Sequence, residues 1–308
     1  MRPNLPKIKK TLHQNIFLLN DVEARLRRSN IPSAASEAEQ LVRHFSGLNR
    51  VEFFTGQKAI SSRARKSVEA ALKARAQGKP LTYVLKETEF FGFKIFVSPE
   101  TLIPRPETEV LVEEALTILN TYFPTAAQRK RKTTRPEVLE LGTGSGCIAV
   151  SLTIHRSNCR MTALDISSKA LKTAHKNINF YQLDKKVRLI RSDLFSVFGK
   201  SKRAFWDLII SNPPYVPSED FTGLSKEVLS EPRMALNGGP GGLSMIHRIL
   251  EQAPDYMKKN AWLLIEIGDG QAGPLVEKIA KEKKFANCRF VKDLNGIDRV
   301  LVAQKWTS

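Results

Sequence analysis

From residue 137 onward the chain alternates between short apolar runs and helical stretches. The runs read EVLEL, RMTALD, VRLIRSD, WDLIIS and WLLIEIG, with stretches such as SKALKTAHKNI between them. Short runs that are apolar on both faces, joined by helices, build a parallel sheet covered on both sides. Two last runs, CRFVKD and RVLVAQ, are separated only by Leu294 to Asp298. So short a connection permits an antiparallel hairpin and no crossover helix. The expectation is an α/β fold: a doubly wound, mostly parallel, seven-stranded sheet with an antiparallel last strand.

The first eighty residues follow a helical period. Ile16, Leu19, Val22 and Leu26 recur at spacings of three and four, and Ser36 with Glu39 has the form of a capping box opening SEAEQLVRHF. A further helix, SSRARKSVEAALKARAQGKP, stops at Gly78 and Pro80. Residues 1–83 are therefore expected to form a small helical bundle. TEFFGFKIFV alternates around Gly92 like a hairpin, which makes 84–105 a hairpin linker. PRPETE reads as a helix start, with Pro106 early and Glu107 and Glu109 at the positive end of the dipole, so a second domain is expected over 106–308.

Composition narrows the class. A hydrophobic content of 42% over 308 residues supports a real core. The longest mostly apolar run, Val138 to Ile154, carries Glu140 and three glycines, which rules it out as a membrane span. The start is basic and free of acids until Asp21, but has no apolar core with a small-residue cleavage site. That composition is compatible with a mitochondrial address; the acids and helical pattern that follow favour a native helix. Cys147, Cys159 and Cys288 are odd in number and widely spaced, which points to a reducing compartment such as the cytoplasm and gives no structural zinc a ligand set. No metal is expected, and nothing demands more than a monomer.

Charge says more. The formal net charge is +18, and residues 1–83 hold 16 Lys and Arg against 6 acids. An excess of this size points to a polyanionic setting or an acidic protein partner. The run QRKRKTTR at 128–135 taken alone reads as a solvated basic face.

Glu140 to Gly146, ELGTGSG, follows the first strand and opens a helix. Its glycines, at 142, 144 and 146, depart from the dinucleotide fingerprint because position 147 is Cys. Alone, the loop fits a tight strand-to-helix turn as well as a ligand cradle. The next strand ends in Asp165, near the distance at which a carboxylate takes both ribose hydroxyls. The third run ends in Asp193-Leu194, an acceptor for an adenine amino group beside an apolar side chain for the ring. Singly each acid reads as a cap or turn residue. Together they favour an adenosine site. The fourth run halts at Asn212-Pro213-Pro214-Tyr215. Prolines end a strand, but the preceding amide and following phenol call for more than termination.

At this point the chain resembles a class I methyltransferase that uses S-adenosylmethionine and methylates a planar nitrogen. FFGFKIFV, LIPRPETEVLVE, LELGTGSGCIAVSL, SNPPYVP, EPRMAL and RVLVA together are similar to the release-factor glutamine methyltransferase family, over roughly residues 80 to 308. The resemblance implies that Glu140, Gly142, Thr143, Gly144, Ser145, Gly146, Asp165, Asp193, Leu194 and Asn212 bind S-adenosylmethionine, with S-adenosylhomocysteine as product. It implies that Asn212, Pro213 and Tyr215 are catalytic, and that Pro214, Arg105 and Glu231 join them in holding the substrate. The resemblance further implies that the substrate is the Gly-Gly-Gln glutamine of class I peptide chain release factors, with the basic bundle expected to help grip this partner. Gly241 stands where the family usually has an acid, and Glu140 where it commonly has Asp. Two rivals stay open: methylation of an exocyclic amino group on a nucleic-acid base, which +18 would suit, and a non-catalytic basic binding module on the same scaffold.

Overall fold

The computed structural model describes residues 5–124, 135–199 and 202–306. Most of the basic run 128–135 therefore lies outside the described residues. The chain forms two compact units. One comprises Met1–Lys86 with Lys226–Ser230; the other comprises Glu87–Ser225 with Glu231–Ser308.

The first unit packs helices α1 (Leu5–Arg28), α2 (Ala34–Ser46), α3 (Arg50–Thr55), α4 (Ser62–Ala76) and α5 (Leu81–Leu85). Val22, Leu26, Leu41, Val42, Phe53, Val68 and Leu72 form its core, with Ile16 and Leu19 packed against them. Buried Asn15 ties α1 to the chain after α3 by donating to the carbonyls of Phe53 and Lys58. The expected capping box at Ser36 and Glu39 is not there. Helix α2 starts earlier, with Ser33 as its N-cap residue, because Ala34 is buried in the core and draws the first turn inward. Ser36 sits inside that turn and accepts from Gln40 instead. A capping box does occur one helix later, where Asn49 and Glu52 exchange side-chain and backbone bonds at the start of α3.

Glu37 and Arg75 form a buried pair, at 6% and 4% exposure. Arg75 Nε reaches Glu37 Oε2 at 2.6 Å, and its Nη2 reaches both Glu37 Oε1 at 3.1 Å and Glu227 Oε1 at 2.7 Å. Without Glu37 the buried Arg75 keeps only the half-exposed Glu227 as a partner, and most of its charge is left uncompensated. Glu37→Ala should therefore lower stability by about 3–5 kcal/mol. Denaturant unfolding followed by circular dichroism checks this, and a loss under about 1 kcal/mol, the level of a surface pair, would refute it.

The second unit opens with the hairpin β1 (Glu87–Phe90) and β2 (Phe93–Phe96), which turns at Phe91-Gly92 with Gly92 at φ +75°. Next come α6 (Glu107–Tyr122), β3 (Glu137–Leu141), α7 (Cys147–His155), β4 (Arg160–Asp165), α8 (Ser168–Phe180), β5 (Val187–Arg191) and β6 (Trp206–Ser211). After Asn212-Pro213-Pro214-Tyr215 follow β7 (Val216–Pro217), α9 (Lys226–Leu229, grouped with the first unit), α10 (Arg233–Leu236) and β8 (Asn237–Gly239). The chain ends with α11 (Ser244–Tyr256), β9 (Met257–Glu266), α12 (Ala272–Glu282), β10 (Phe285–Lys292) and β11 (Asp298–Lys305).

The main sheet has seven strands in the order β10-β11-β9-β6-β3-β4-β5. Strand β11 is antiparallel to both neighbours, and the remaining pairs are parallel. Leu139, Leu208, Ile209, Leu263 and Leu264 are fully buried, as a sheet covered on both faces requires. The register then places the functional edge. Leu141 pairs with Leu164 on one side and Ser211 on the other, so Gly142, Asp165 and Asn212 leave the sheet side by side at its carboxyl end. The chain order reverses between β3 and β6, which makes that edge the crevice where such folds bind ligands.

Candidate active site

A cavity of about 300 Å³ opens at this edge, lined by the turn after β3, Asp165, Asp193, Asn212 and Pro213-Pro214. The three glycines of the turn all have positive φ: +74° at Gly142, +56° at Gly144 and +81° at Gly146. Their surroundings separate their roles. A Cβ on Gly144 would meet nothing within 4 Å, so its bare backbone faces open space. On Gly146 a Cβ would come within 3.2 Å of Ala174, so this glycine lets α8 approach the turn. Gly146 does not line the cavity, and neither does Glu140, which is fully buried beneath the turn and accepts from Thr143 Oγ1 at 2.9 Å.

Asp165 holds the turn from the neighbouring strand. Its Oδ2 accepts from Gly144 N and its Oδ1 from Ser167 N, both at 2.8 Å. Each oxygen keeps a further lone pair for hydroxyls. Asp193 lies on the lining, but Arg248 of α11 pairs with both its oxygens, at 3.0 and 2.9 Å. Leu194, Ile166, Met245 and Ile249 supply an apolar lining around it. Neither Arg248 nor the Met245 and Ile249 contributions could be read from a local motif, because α11 lies more than fifty residues downstream.

Asn212 is the centre of the remaining polar network. Its Nδ2 donates to Thr108 Oγ1 at 3.0 Å, while its Oδ1 is buried with no partner among the described residues. Thr108, on the first turn of α6, also hydrogen-bonds Glu266 at the end of β9. Glu266 is fully buried and accepts from Tyr215 OH at 3.2 Å. Tyr215 thus faces Glu266 and packs near Gly268 rather than lining the cavity. A half-buried phenol takes the nearest buried acceptor. Arg105 and Glu231 also lie off the lining. Glu231 pairs with Arg105 and accepts from Ile103 N at 2.9 Å, which braces the segment that brings Leu102 and Pro104 to the cavity. Gly241 adopts φ +59° and its carbonyl accepts from Gln271 Nε2, which also binds the Tyr215 carbonyl.

Burial shifts both hidden carboxyls. Desolvation pushes Glu140 up to about 8 and Glu266 up to about 7, with Thr143, and Thr108 and Tyr215, offsetting part of each rise. Below about 4.5 folded and unfolded chains both bind the proton and no penalty arises. Between about 4.5 and 7 for Glu266, and 4.5 and 8 for Glu140, the unfolded chain is ionised while the folded one keeps its proton, so stability falls across that window and levels off above it. Glu140→Gln should therefore raise Tm relative to the parent near about pH 9, with the gap shrinking toward about pH 5. Calorimetric scans across this range check it; a gap independent of pH would contradict the buried neutral carboxyl.

The described residues hold no cluster of His, Cys, Asp and Glu fit for a metal ion. None of their helices is long and apolar enough to cross a membrane. Cys147 and Cys159 are buried free thiols and Cys288 is an exposed one.

Comparison with known proteins bears on the same regions. Residues 126–261 match the family model for the methyltransferase small domain, and residues 18–85 match that for the PrmC N-terminal domain. The chain is 34% identical to the release factor glutamine methyltransferase of Geobacter sulfurreducens, covering 90% of this chain and 91% of the relative. Against the protein of the same name from Koribacter versatilis it is 35% identical, over 92% and 95%. Among solved structures, the hMettl16 catalytic domain in complex with MAT2A 3'UTR hairpin 6 superposes with a TM-score of 0.56 at 17% identity, covering 77% of this chain and 83% of that one. That likeness concerns the fold.

Proposed function

The chain belongs to the release factor glutamine methyltransferases, and from that premise we propose that it transfers a methyl group from S-adenosylmethionine to the side-chain amide nitrogen of the Gly-Gly-Gln glutamine in class I peptide chain release factors. The observation that carries the reading is the buried, unpartnered Asn212 Oδ1 on the cavity lining. A buried acceptor without a donor costs free energy unless a ligand supplies one. A primary amide supplies it.

The cavity fits the cofactor on its own chemistry. Gly144 leaves open backbone, Asp165 keeps acceptor capacity for a ribose diol, and Leu194 and Ile249 offer an apolar slot for a base. The Asp193 carboxylate, already engaged by Arg248, shares any contact with an adenine amino group. When bound, S-adenosylmethionine supplies an electrophilic methyl on a sulfonium centre.

The protein's own part is positioning. An amide nitrogen is a poor nucleophile because its lone pair is delocalised into the carbonyl. Asn212 Oδ1 accepts one N–H of the substrate amide and the Pro213 carbonyl accepts the other, so the nitrogen is held with its lone pair directed toward the methyl. Thr108 keeps the Asn212 amide from rotating, since its hydroxyl accepts from Nδ2 and donates to Glu266. Fixed dipoles of this kind act without reorganisation at the moment of reaction. The proton displaced by methylation is strongly acidic on the product nitrogen and leaves to solvent. Tyr215 acts through Glu266 and the backbone it anchors, Arg105 and Glu231 through the segment they brace. The basic first unit grips the partner protein, and the free thiols suit the cytoplasm.

The test is methyl transfer from labelled S-adenosylmethionine, offered to a class I release factor, to its loop Gln→Ala variant, and to structured RNA in parallel. Label on the release factor alone, lost with the loop variant, supports the reading. Label on RNA with a bare release factor would overturn it.

A further inference from the structure

Thr108 can hold the Asn212 amide in one sense only while its own hydroxyl hydrogen is engaged elsewhere. A hydroxyl carries one hydrogen and donates it to one acceptor at a time. While that hydrogen points to Glu266, Thr108 Oγ1 is left to accept from Asn212 Nδ2 at 3.0 Å, and Asn212 Oδ1 stays without a protein partner. The direction of the whole chain of bonds is therefore set at its far end, by Glu266.

Glu266 is fully buried at the end of β9. Tyr215 OH donates to its Oε1 at 3.2 Å, and its Oε2 has no hydrogen-bond partner among the described residues. As a carboxylate it only accepts, so both hydroxyls donate to it. As a carboxylic acid it carries a hydrogen that itself needs an acceptor. On Oε2 that hydrogen would be stranded in the interior. On Oε1 it displaces a hydroxyl hydrogen and points at Tyr215 or Thr108. The phenol's hydrogen bond is the one to Glu266, so reversing it strands the phenol hydrogen. Thr108 has another acceptor at hand, because a half-turn of the Asn212 amide brings the unpartnered Oδ1 to its hydroxyl. Protonation thus reverses the chain through Thr108 and leaves the Asn212 N–H₂ facing the substrate.

We propose that Glu266 is a positioning residue for methyl transfer: as a carboxylate it makes Asn212 offer an acceptor to the substrate N–H₂, and as a carboxylic acid it makes Asn212 offer a donor that this group cannot use. The inference rests on the amide-holding role of Asn212 given above. Both forms are within reach of neutral pH. Burial pushes Glu266 up to about 7, against the Thr108 and Tyr215 hydrogen bonds and the charge of Arg299 on β11, while Glu107 on α6 adds to the rise. Arg299 is itself paired with Asp293 at 2.9 Å. The two other titratable groups that feel Glu266 stay neutral in this range. Burial pushes the Cys147 thiol of α7 up to about 12, with Glu140 and Glu266 adding to it. The Tyr215 phenol is raised by burial and by Glu266, with Arg299 and Arg105 offsetting part.

The first measurement is kcat at saturating S-adenosylmethionine and release factor, from about pH 6 to about pH 9, across the range where a single ionisation near 7 would appear. In the parent kcat should be level in the upper part and fall below about pH 7, approaching about tenfold per pH unit. Glu266→Gln keeps the shape and cannot ionise, so its profile should be flat. Tyr215→Phe removes a hydrogen bond that favours the charged form, so its midpoint should move upward. A merely structural role would lower kcat alike at every pH. A flat parent profile, or a Glu266→Gln profile that keeps the parent's fall, would overturn the proposal. The second measurement needs neither release factor nor turnover. In the ¹⁵N-labelled full chain, with the Asn212 side-chain signals identified by their loss in Asn212→Ala, the Nδ2 protons should show an Overhauser contact to Thr108 Hβ above the midpoint and lose it below. A contact that persists below the midpoint would overturn the proposal, whether or not Glu266→Gln folds. If the release factor accepts no methyl at any pH, the proposed reaction is at fault, and the Asn212 contact still decides whether Glu266 sets the amide.

Discussion

Asn212→Ala is expected to lower kcat for glutamine methylation by about 10²–10³-fold, the range seen when one preorganised polar group at a reacting centre is removed. S-adenosylmethionine affinity, measured by calorimetry, should change far less, because the Asn212 amide is one wall of a cavity whose cofactor-facing polar groups are mainly Asp165 and the turn after β3. The two readouts matter together. Loss of both would make Asn212 a cofactor ligand or a folding element; loss of kcat alone makes it the acceptor that orients the substrate. Thr108→Val sharpens the same point. It removes the hydroxyl that holds Nδ2, so the Asn212 amide can rotate and present its N–H₂ to the substrate. The expected cost is about tenfold in kcat, the value of roughly one ordinary hydrogen bond, with KM for the release factor little changed. A Thr108→Ser variant, which keeps the hydroxyl, should restore most of the rate, a recovery that a purely packing role would not give.

Asp165→Ala should weaken S-adenosylmethionine binding by about 100-fold. The carboxylate provides charge-assisted acceptors worth about 1.5–3 kcal/mol each, and tenfold in affinity corresponds to about 1.4 kcal/mol. Two effects combine. The acceptors offered to the ribose are gone, and Gly144 N loses its partner, so the turn that faces the cavity loosens. The pH dependence carries the same signature. Burial raises the Asp165 pKa above that of an ordinary aspartate, despite the backbone N–H groups of Ser167 and Gly144 that favour its charge. The cofactor's hydroxyls favour the charged form, so binding should weaken on acidification sooner than the ordinary aspartate value implies. Calorimetry from neutral to mildly acid pH tests this. Unaltered affinity in Asp165→Ala would remove the residue from the site.

Local patterns carried much of this architecture because its period is written into consecutive residues. The runs beginning at Glu137, Arg160, Val187 and Trp206 are strands at those positions, and the last two runs pair antiparallel as their short connection requires. The edge that collects Gly142, Asp165 and Asn212 follows from strand ends alone. What local pattern could not carry was partnership across the chain. Tyr215 answers to Glu266, and Asp193 to Arg248, each pair more than fifty residues apart. Gly146 looks like its two neighbours in the motif, yet only the approach of Ala174 shows that it serves packing. Ser36 and Glu39 have the residue types of a capping box, but the burial of Ala34 started the helix before them. Thr108 was hidden by its own surroundings, since PETE reads fully as a helix start.

The two prolines after Asn212 have a consequence for fidelity. Proline carries no backbone N–H, so Pro213 and Pro214 bring no main-chain donors to the cavity lining, next to the unpartnered Asn212 Oδ1. Such an edge welcomes N–H groups and repels lone pairs. A glutamine that has deamidated to glutamate would set its carboxylate oxygens against those acceptors, with no donor to relieve them, and polar groups left unmatched in this way discriminate strongly. Damaged release factor would thus be turned away at the same step that aligns the intact one, and the methyl mark would certify that the amide is still there.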